Sequence, residues 1–433
     1  MFRPLDFAYL LGLAAASPWL LYRSLTTGRY RRHPLARLFG GVSLPATKKP
    51  RAWFHGVSVG EIHLLRQVVA AFRKRRPDWE CVISSTTDTG LDEARRCFPD
   101  LPVIVWPLDF SWAVKRALNI VKPRLLVMAE GELWPNMLRA AKARRIRVAV
   151  VNGRLSPKSA RRYQRLGAFA RPMFQSVDLF AVQTDEYAES IKSLGVLATK
   201  VAVTGSVKYD GLTCDRNNAK TAELGRLFAI NPGDLVWVAG STQAPEEKIV
   251  LSIWRQARKR YPKMRLILVP RQKDRFGEVA DLVRRMGCPI VRRSSLKDKP
   301  LTDRDAVVLV DTIGELGAVW GLADIAFVGG SLDGKRGGQN MLEPAAYGAA
   351  VIFGPHVWNF RDAANRLVRE EGAVQVVDAV ALEGTVLDLL ADGRKRKELG
   401  ATARKLVLAQ QGATRRTLEA LDFLVSPTLA KAG

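Results

Sequence analysis

From about residue 50 onward, short apolar runs of strand length alternate with longer amphipathic segments, and the alternation runs twice along the chain. This pattern calls for parallel sheets with helices on both faces, and 433 residues exceed what one hydrophobic core serves, so two domains are expected. In the first half the strand candidates are Trp53 to Val57, Cys81 to Ser85, Val103 to Trp106, Leu125 to Met128, Val148 to Val151, Leu179 to Val182 and Val201 to Thr204. In the second they are Val236 to Ala239, Leu266 to Val269, Ile290 to Val291, Val307 to Val310, Ile325 to Val328 and Val351 to Phe353. The polar stretch Asp210 to Pro232, with Asn217-Asn218 and Asn231-Pro232-Gly233, suits the passage between them. The reading is an α/β chain with two Rossmann-like domains, 36–212 and 213–405, preceded by a segment 1–35 and followed by a C-terminal helix, 406–433, that returns toward the first domain. Two such domains facing a cleft bring the C-terminal ends of both sets of strands to one site.

The segment 1–35 has its own signature. Phe7 to Tyr22 is a run of about 16 uncharged residues, a little under the roughly 20 that span a bilayer, and Arg23, Arg29, Arg31 and Arg32 follow it. Ala14-Ala15-Ala16-Ser17 resembles a signal-peptide cleavage site, but the apolar run continues through Trp19-Leu20-Leu21. A single N-terminal membrane anchor helix is therefore expected, with the basic flank and the body of the protein on the cytoplasmic side. The net charge of +26 demands an acidic partner: nucleic acid, an anionic membrane surface or a phosphorylated substrate. Nucleic acid is disfavoured, because the chain lacks aromatic stacking strips and any zinc-finger or RNA-recognition signature. Cys81, Cys97, Cys214 and Cys288 stand at no spacing that makes a zinc or redox pair and read as core residues in a reducing compartment. His33, His55, His63 and His356 show no metal-ligand pairing either, so no metal is expected.

Several strand ends carry chemistry. Val57-Ser58-Val59-Gly60-Glu61 precedes the amphipathic run Ile62, Leu65, Val68, Val69, Phe72, which puts Glu61 in the first turn of a helix at a strand end. A carboxylate there either complements the helix dipole or, with its pKa raised by burial, takes a proton from an attacking hydroxyl. Glu130 and Glu132, in Glu130-Gly131-Glu132-Leu133-Trp134-Pro135-Asn136, can bind acceptor hydroxyls, tune one another or cap a helix. In the second half Pro270 and Arg271 end a strand with a guanidinium suited to a phosphate. Ile313, Gly314 and Glu315, within Asp311-Thr312-Ile313-Gly314-Glu315-Leu316, form a turn whose backbone a ligand can approach. Val328-Gly329-Gly330-Ser331-Leu332 and the run Gly337 to Ala345, containing Asn340, Met341, Leu342 and Glu343, add glycine-rich turns. Together these make a nucleotide-sugar pocket. Asp303-Arg304-Asp305 lies at the opposite end of its strand and reads as a solvated loop.

The runs HGVSVGE, GELWPN, VNGRLS, VTGSVKYD, LILVPR, DTIGEL, VGGSL and NMLEPAAYG resemble, in order and spacing, the Kdo (3-deoxy-D-manno-octulosonic acid) transferases of lipid A-core biosynthesis, from about residue 50 to about residue 360. The resemblance implies the GT-B glycosyltransferase fold and transfer of Kdo from CMP-Kdo to a lipid A precursor of the lipid IVA type, in lipopolysaccharide biosynthesis at the cytoplasmic face of the cell inner membrane. It makes Glu61 the catalytic base, Glu130 and Glu132 acceptor-side groups, and Pro270, Arg271, Ile313 to Glu315 and Asn340 to Glu343 the CMP contacts. CMP-Kdo is then a substrate and no cofactor is implied. The chain departs from that pattern in having Gln243, Gln272 and Gln339 where histidine is expected, and Gly131 where threonine is usual. Glutamine can hydrogen-bond but cannot take up a proton. The competing readings are another GT-B transferase or epimerase using a UDP-sugar and, from the charge, a nucleic-acid-binding protein.

Overall fold

In the computed structural model, which describes residues 4–27, 32–297 and 299–426, the chain forms two compact units. One contains the residues up to Asp210 together with those from Gln410 onward, and the other runs from Gly211 to Ala409.

The first unit is built on seven strands: β1 (Arg51–His55), β2 (Glu80–Ser85), β3 (Val103–Val105), β4 (Pro123–Ala129), β5 (Arg147–Gly153), β6 (Leu179–Val182) and β7 (Val201–Val203). They pair in parallel in the order β3-β2-β1-β4-β5-β6-β7. Alternate residues face opposite sides, so the near-continuous apolar runs feed two cores at once. Trp53, Leu126, Met128, Val148 and Val150 pack beneath helices Ser111–Val121 and Pro135–Ala143. Phe54, Leu125, Val127, Ala149 and Val151 pack with Ile62, Leu65 and Phe72 of helix Val59–Arg75. The helix Ala413–Val425 adds Leu418 and Leu421 to that second core. Its start is fixed by Asp210, whose carboxylate accepts the N–H groups of Gly412 at 2.6 Å and of Thr414.

The second unit repeats the plan with β8 (Leu235–Thr242), β9 (Met264–Pro270), β10 (Ile290–Arg292), β11 (Val307–Leu309), β12 (Ile325–Val328), β13 (Ala350–Phe353) and β14 (Ala373–Gln375). These pair in parallel in the order β10-β11-β9-β8-β12-β13-β14. Trp237, Leu266, Leu268, Phe327 and Ile352 face the helices Glu246–Ala257, Phe276–Arg285 and Ala379–Ala391. Each sheet reverses its winding beside its first strand, β1 lying between β2 and β4 and β8 between β9 and β12. Ligands of doubly wound sheets bind outside the strand ends at such a reversal.

The N-terminal run is helical from Pro4 to Thr27, but its first turn is tied into the first unit. Asp6 is fully buried and accepts the Ser111 N–H at 2.8 Å and the Ser111 hydroxyl at 2.6 Å, capping a helix whose own N-cap, Phe110, has no side-chain acceptor. Asp109 in turn caps the helix Pro135–Ala143, taking the N–H groups of Asn136 at 2.9 Å and Met137 at 2.8 Å, and it accepts the Tyr9 hydroxyl at 3.0 Å. Burial pushes the Asp109 carboxyl up to about 6 and the Tyr9 phenol above its ordinary range. Beyond this point the helix exposes Leu11, Trp19, Leu21 and Tyr22. Among the described residues no helix is long and apolar enough to cross a membrane, so the expected spanning anchor is not borne out; what the structure shows is a helix tied to the first unit at its start through Asp6 and Tyr9. Of its basic flank, Arg29 and Arg31 lie outside the described residues.

Candidate active site

Glu61 stands where β1 gives way to helix Val59–Arg75. The turn is tight: a Cβ on Gly56 would lie 3.1 Å from the Glu61 Cβ and 3.2 Å from Leu65, so the absence of a side chain lets the helix start close to the strand. Ser58 is the N-cap, its oxygen accepting the Glu61 N–H at 3.4 Å. The Glu61 carboxylate takes the Val57 N–H at 2.9 Å and the Ser58 hydroxyl at 3.1 Å, close to a capping box. The dipole-partner reading is therefore physically present. Burial nevertheless outweighs these donors and, with the negative charges of Glu130 and Glu132 adding to it, pushes the carboxyl up to about 7. A carboxyl tuned there exchanges a proton near neutral pH.

Glu130 ends up among cations. At the end of β4 its backbone takes a left-handed φ of 57°, and its carboxylate meets Arg154 at 2.9 Å, Lys208 at 3.1 Å and the Asn152 amide at 3.4 Å. Glu132 is exposed on the following turn. Arg154, Lys208 and Asn152 lie in the VNGRLS and VTGSVKYD runs but carried no assigned role in the sequence. The buried Asn152 also accepts the Val207 N–H at 3.0 Å, holding the Lys208 segment against the end of β5. His55, next to this turn, is buried, stacked on Trp106 at 3.7 Å and bonded to the Ser84 hydroxyl at 2.9 Å. Burial lowers it to about 3, so it stays neutral and structural. His63 departs from expectation: it meets Glu93 at 3.2 Å, and its ring nitrogen and the Cys97 Sγ lie within 4.8 Å of each other, a grouping dispersed over two helices and hidden from sequence spacing.

In the second unit Pro270 ends β9 and Arg271 follows it exposed, its N–H on the Thr242 carbonyl at 3.1 Å. Arg271 is close enough to Glu343 to pull that carboxyl down, while burial pushes it up more strongly. Asn340 donates its amide to Glu343 at 3.0 Å, so these two predicted residues and Arg271 do come together. The side chains of Met341 and Leu342 are buried, which leaves only their backbone for a ligand. Ile313 is exposed and Gly314 has a φ of 89° with open space where a side chain would stand. Glu315 is already engaged, in a two-bond pairing with Arg293 at 3.0 and 3.1 Å, with Lys220 at 3.3 Å, and with the Thr312 hydroxyl. Burial raises this carboxyl, but those partners outweigh it and hold it below its ordinary value. Asp303, Arg304 and Asp305 are exposed ahead of β11.

One expected part of the pocket is otherwise occupied. The N–H groups of Gly330, Ser331 and Leu332, after β12, all point at the carboxylate of Glu246, at 2.7, 2.9 and 3.1 Å, and the Gln243 N–H joins them at 2.9 Å. A side chain on Gly329 would lie 2.7 Å from that carboxylate. This turn is an anion nest filled from within, so it offers no amides to a phosphate. Gln243 itself is buried.

Residues 32–211 match the family model described as 3-deoxy-D-manno-octulosonic-acid transferase (kdotransferase). A 3-deoxy-D-manno-octulosonic acid transferase of Haemophilus influenzae is 34% identical over 92% of this chain and 92% of that protein. One of Chlamydophila psittaci is 35% identical over 84% of this chain and 82% of its own length. Among solved structures, a putative UDP-N-acetylglucosamine 2-epimerase from Listeria monocytogenes aligns with 87% of this chain and 96% of its own at a TM-score of 0.52 and 12% identity, a likeness of fold.

Proposed function

The chain belongs to the Kdo transferase family, and from that premise we propose that it moves Kdo from CMP-Kdo to a lipid A precursor of the lipid IVA type, with Glu61 as base. The observation that carries the assignment of the base is the Glu61 carboxyl itself, in the first turn of the helix that follows the strand beside which the sheet reverses, and pushed by burial to about 7. Glu61 takes the proton of a glucosamine 6-hydroxyl as that oxygen bonds to the anomeric carbon of Kdo. The bond from that carbon to the phosphate oxygen breaks, CMP leaves with the electron pair, and the configuration inverts. Arg271 offsets the charge gathering on the phosphate, and Ile313, Gly314, Asn340 and Glu343 hold the nucleoside. A one-phosphate leaving group needs no divalent ion for this. Glu130, with Arg154 and Lys208 around it, and the exposed Glu132 position the acceptor.

We further propose that the body works on the cytoplasmic face of the inner membrane, with the apolar side of helix Pro4–Thr27 lying in the headgroup boundary rather than crossing it. Support comes from its exposed Leu11, Trp19 and Leu21, and from Leu166 and Phe169, exposed beside Arg161, Arg162 and Arg165. The basic run Arg73 to Arg76 adds little to this surface, since Arg73 pairs with Asp100 and Arg75 and Arg76 both pair with Asp422.

The test is Glu61→Gln assayed with freshly made CMP-Kdo and a tetraacylated lipid A precursor. CMP-Kdo binding is expected to persist while product, counted by mass, disappears. Turnover retained in that variant sinks the assignment of the base, and displacement of the donor by UDP rather than CMP sinks that of the nucleotide.

A further inference from the structure

Helix Val59–Arg75 packs beside helix Asp88–Cys97, on the outer side of the sheet's second core. Across that seam three side chains of different chemistry converge. The His63 Nε2 and the Cys97 Sγ each lie 3.2 Å from the same oxygen of Glu93, and the candidate donor atoms of all three residues fall within 4.8 Å of one another. Glu93 and Cys97 are four residues apart on one helix and so share a face, while His63 reaches them from the other. Atoms that ligate one tetrahedral zinc ion sit about 3.5 Å apart, as follows from bond lengths of about 2.0–2.3 Å.

We propose that His63, Glu93 and Cys97 form a binding site for a single borderline-soft divalent ion, zinc above all, which staples helix Val59–Arg75 to helix Asp88–Cys97. The mixture of imidazole, carboxylate and thiolate selects zinc, or cobalt as its probe, over magnesium and calcium, which take oxygen ligands. Binding forms three bonds to the ion, displaces the thiol proton to solvent and leaves a fourth position to water. One competitor stands in the way: Arg96 also reaches the shared Glu93 oxygen, at 2.6 Å. That arginine is 71% exposed, so water and salt screen its charge and the ion can displace it from the Glu93 oxygen. The site is a structural one. His63 lies two residues beyond Glu61, about 200° around the helix, and therefore faces away from the base.

Metal-free, tag-free protein titrated with cobalt is expected to bind one ion per chain with a thiolate-to-cobalt charge-transfer band, and zinc is expected to displace the cobalt and raise the thermal midpoint. Cys97→Ser should abolish the band. His63→Ala, at an exposed position where folding is not at stake, should abolish one-to-one binding and the zinc-dependent rise in midpoint while far-ultraviolet circular dichroism stays unchanged. Absence of the band in the unaltered protein, or one-to-one binding that survives both substitutions, overturns the proposal. Neither readout depends on transfer activity.

Discussion

In both units a glutamate stands in the first turn of the helix that follows the first strand, Glu61 after β1 and Glu246 after β8. Both follow a strand beside which the sheet reverses, and burial raises both carboxyls. Their uses diverge. Glu246 has no exposed surface and accepts four backbone N–H groups, three of them from the glycine-rich turn after β12. Glu61 accepts one backbone N–H and one hydroxyl and keeps part of its surface open. At such a turn, what separates a carboxylate that can exchange a proton with an incoming molecule from one that is a fixture is how many donors already claim it.

The comparison can be broken by exchanging the consequences of the two residues. Glu61→Gln should lower transfer by roughly 10²–10⁴-fold, the range for a lost general base, while stability stays within about 1 kcal/mol, because the amide still serves as a cap. Glu246→Gln should do the reverse. An amide offers one acceptor oxygen where two are used, so buried N–H groups lose partners and the second unit should lose about 2–5 kcal/mol in urea unfolding, whatever CMP binding survives. Equal losses of stability in the two variants would remove the distinction.

The pH dependence sharpens it further. With Glu61 at about 7, transfer measured in chelator should rise about tenfold per pH unit below that value and level off above it. Because the folded value lies above the ordinary 4.5, the contribution of this carboxyl to stability is fully present below about 4.5 and is lost as pH rises through about 7. Activity gained on deprotonation therefore accompanies stability lost. Last and smallest, Lys208→Met removes a cation from Glu130, which strengthens the negative field at Glu61. The midpoint of the rate profile should then move upward by on the order of half a pH unit, equivalent to ~0.7 kcal/mol.

The sheets were legible in the sequence because each central strand is an apolar run in its own right. β14 was not, since Ala373-Val374-Gln375 is an edge strand paired only with β13 and needs no such run. The place of Glu61 in a helix's first turn and of Asn340 beside Glu343 was legible because a strand-to-helix turn and a three-residue spacing fix such geometry locally. Glu246 was not, because an acidic residue in a first turn looks the same whether it faces water or a ring of amides 84 residues away. The same holds for Asp6, whose partners lie at Ser111 and Asn136, and for Arg154 and Lys208, which gain meaning only beside Glu130. Hydropathy described the N-terminal run correctly as apolar and helical, but said nothing of the buried carboxylate that ties down its first turn.

The return of helix Ala413–Val425 to the first unit has a consequence for how the protein is made. The face formed by Ile62, Leu65 and Phe72 is completed by Leu418 and Leu421, residues that leave the ribosome some 350 positions later. During synthesis the whole second unit can emerge and fold as a continuous stretch while the first still waits for its last helix. A polypeptide released early, at Asp210, would carry the entire first sheet and an uncovered strip of its core.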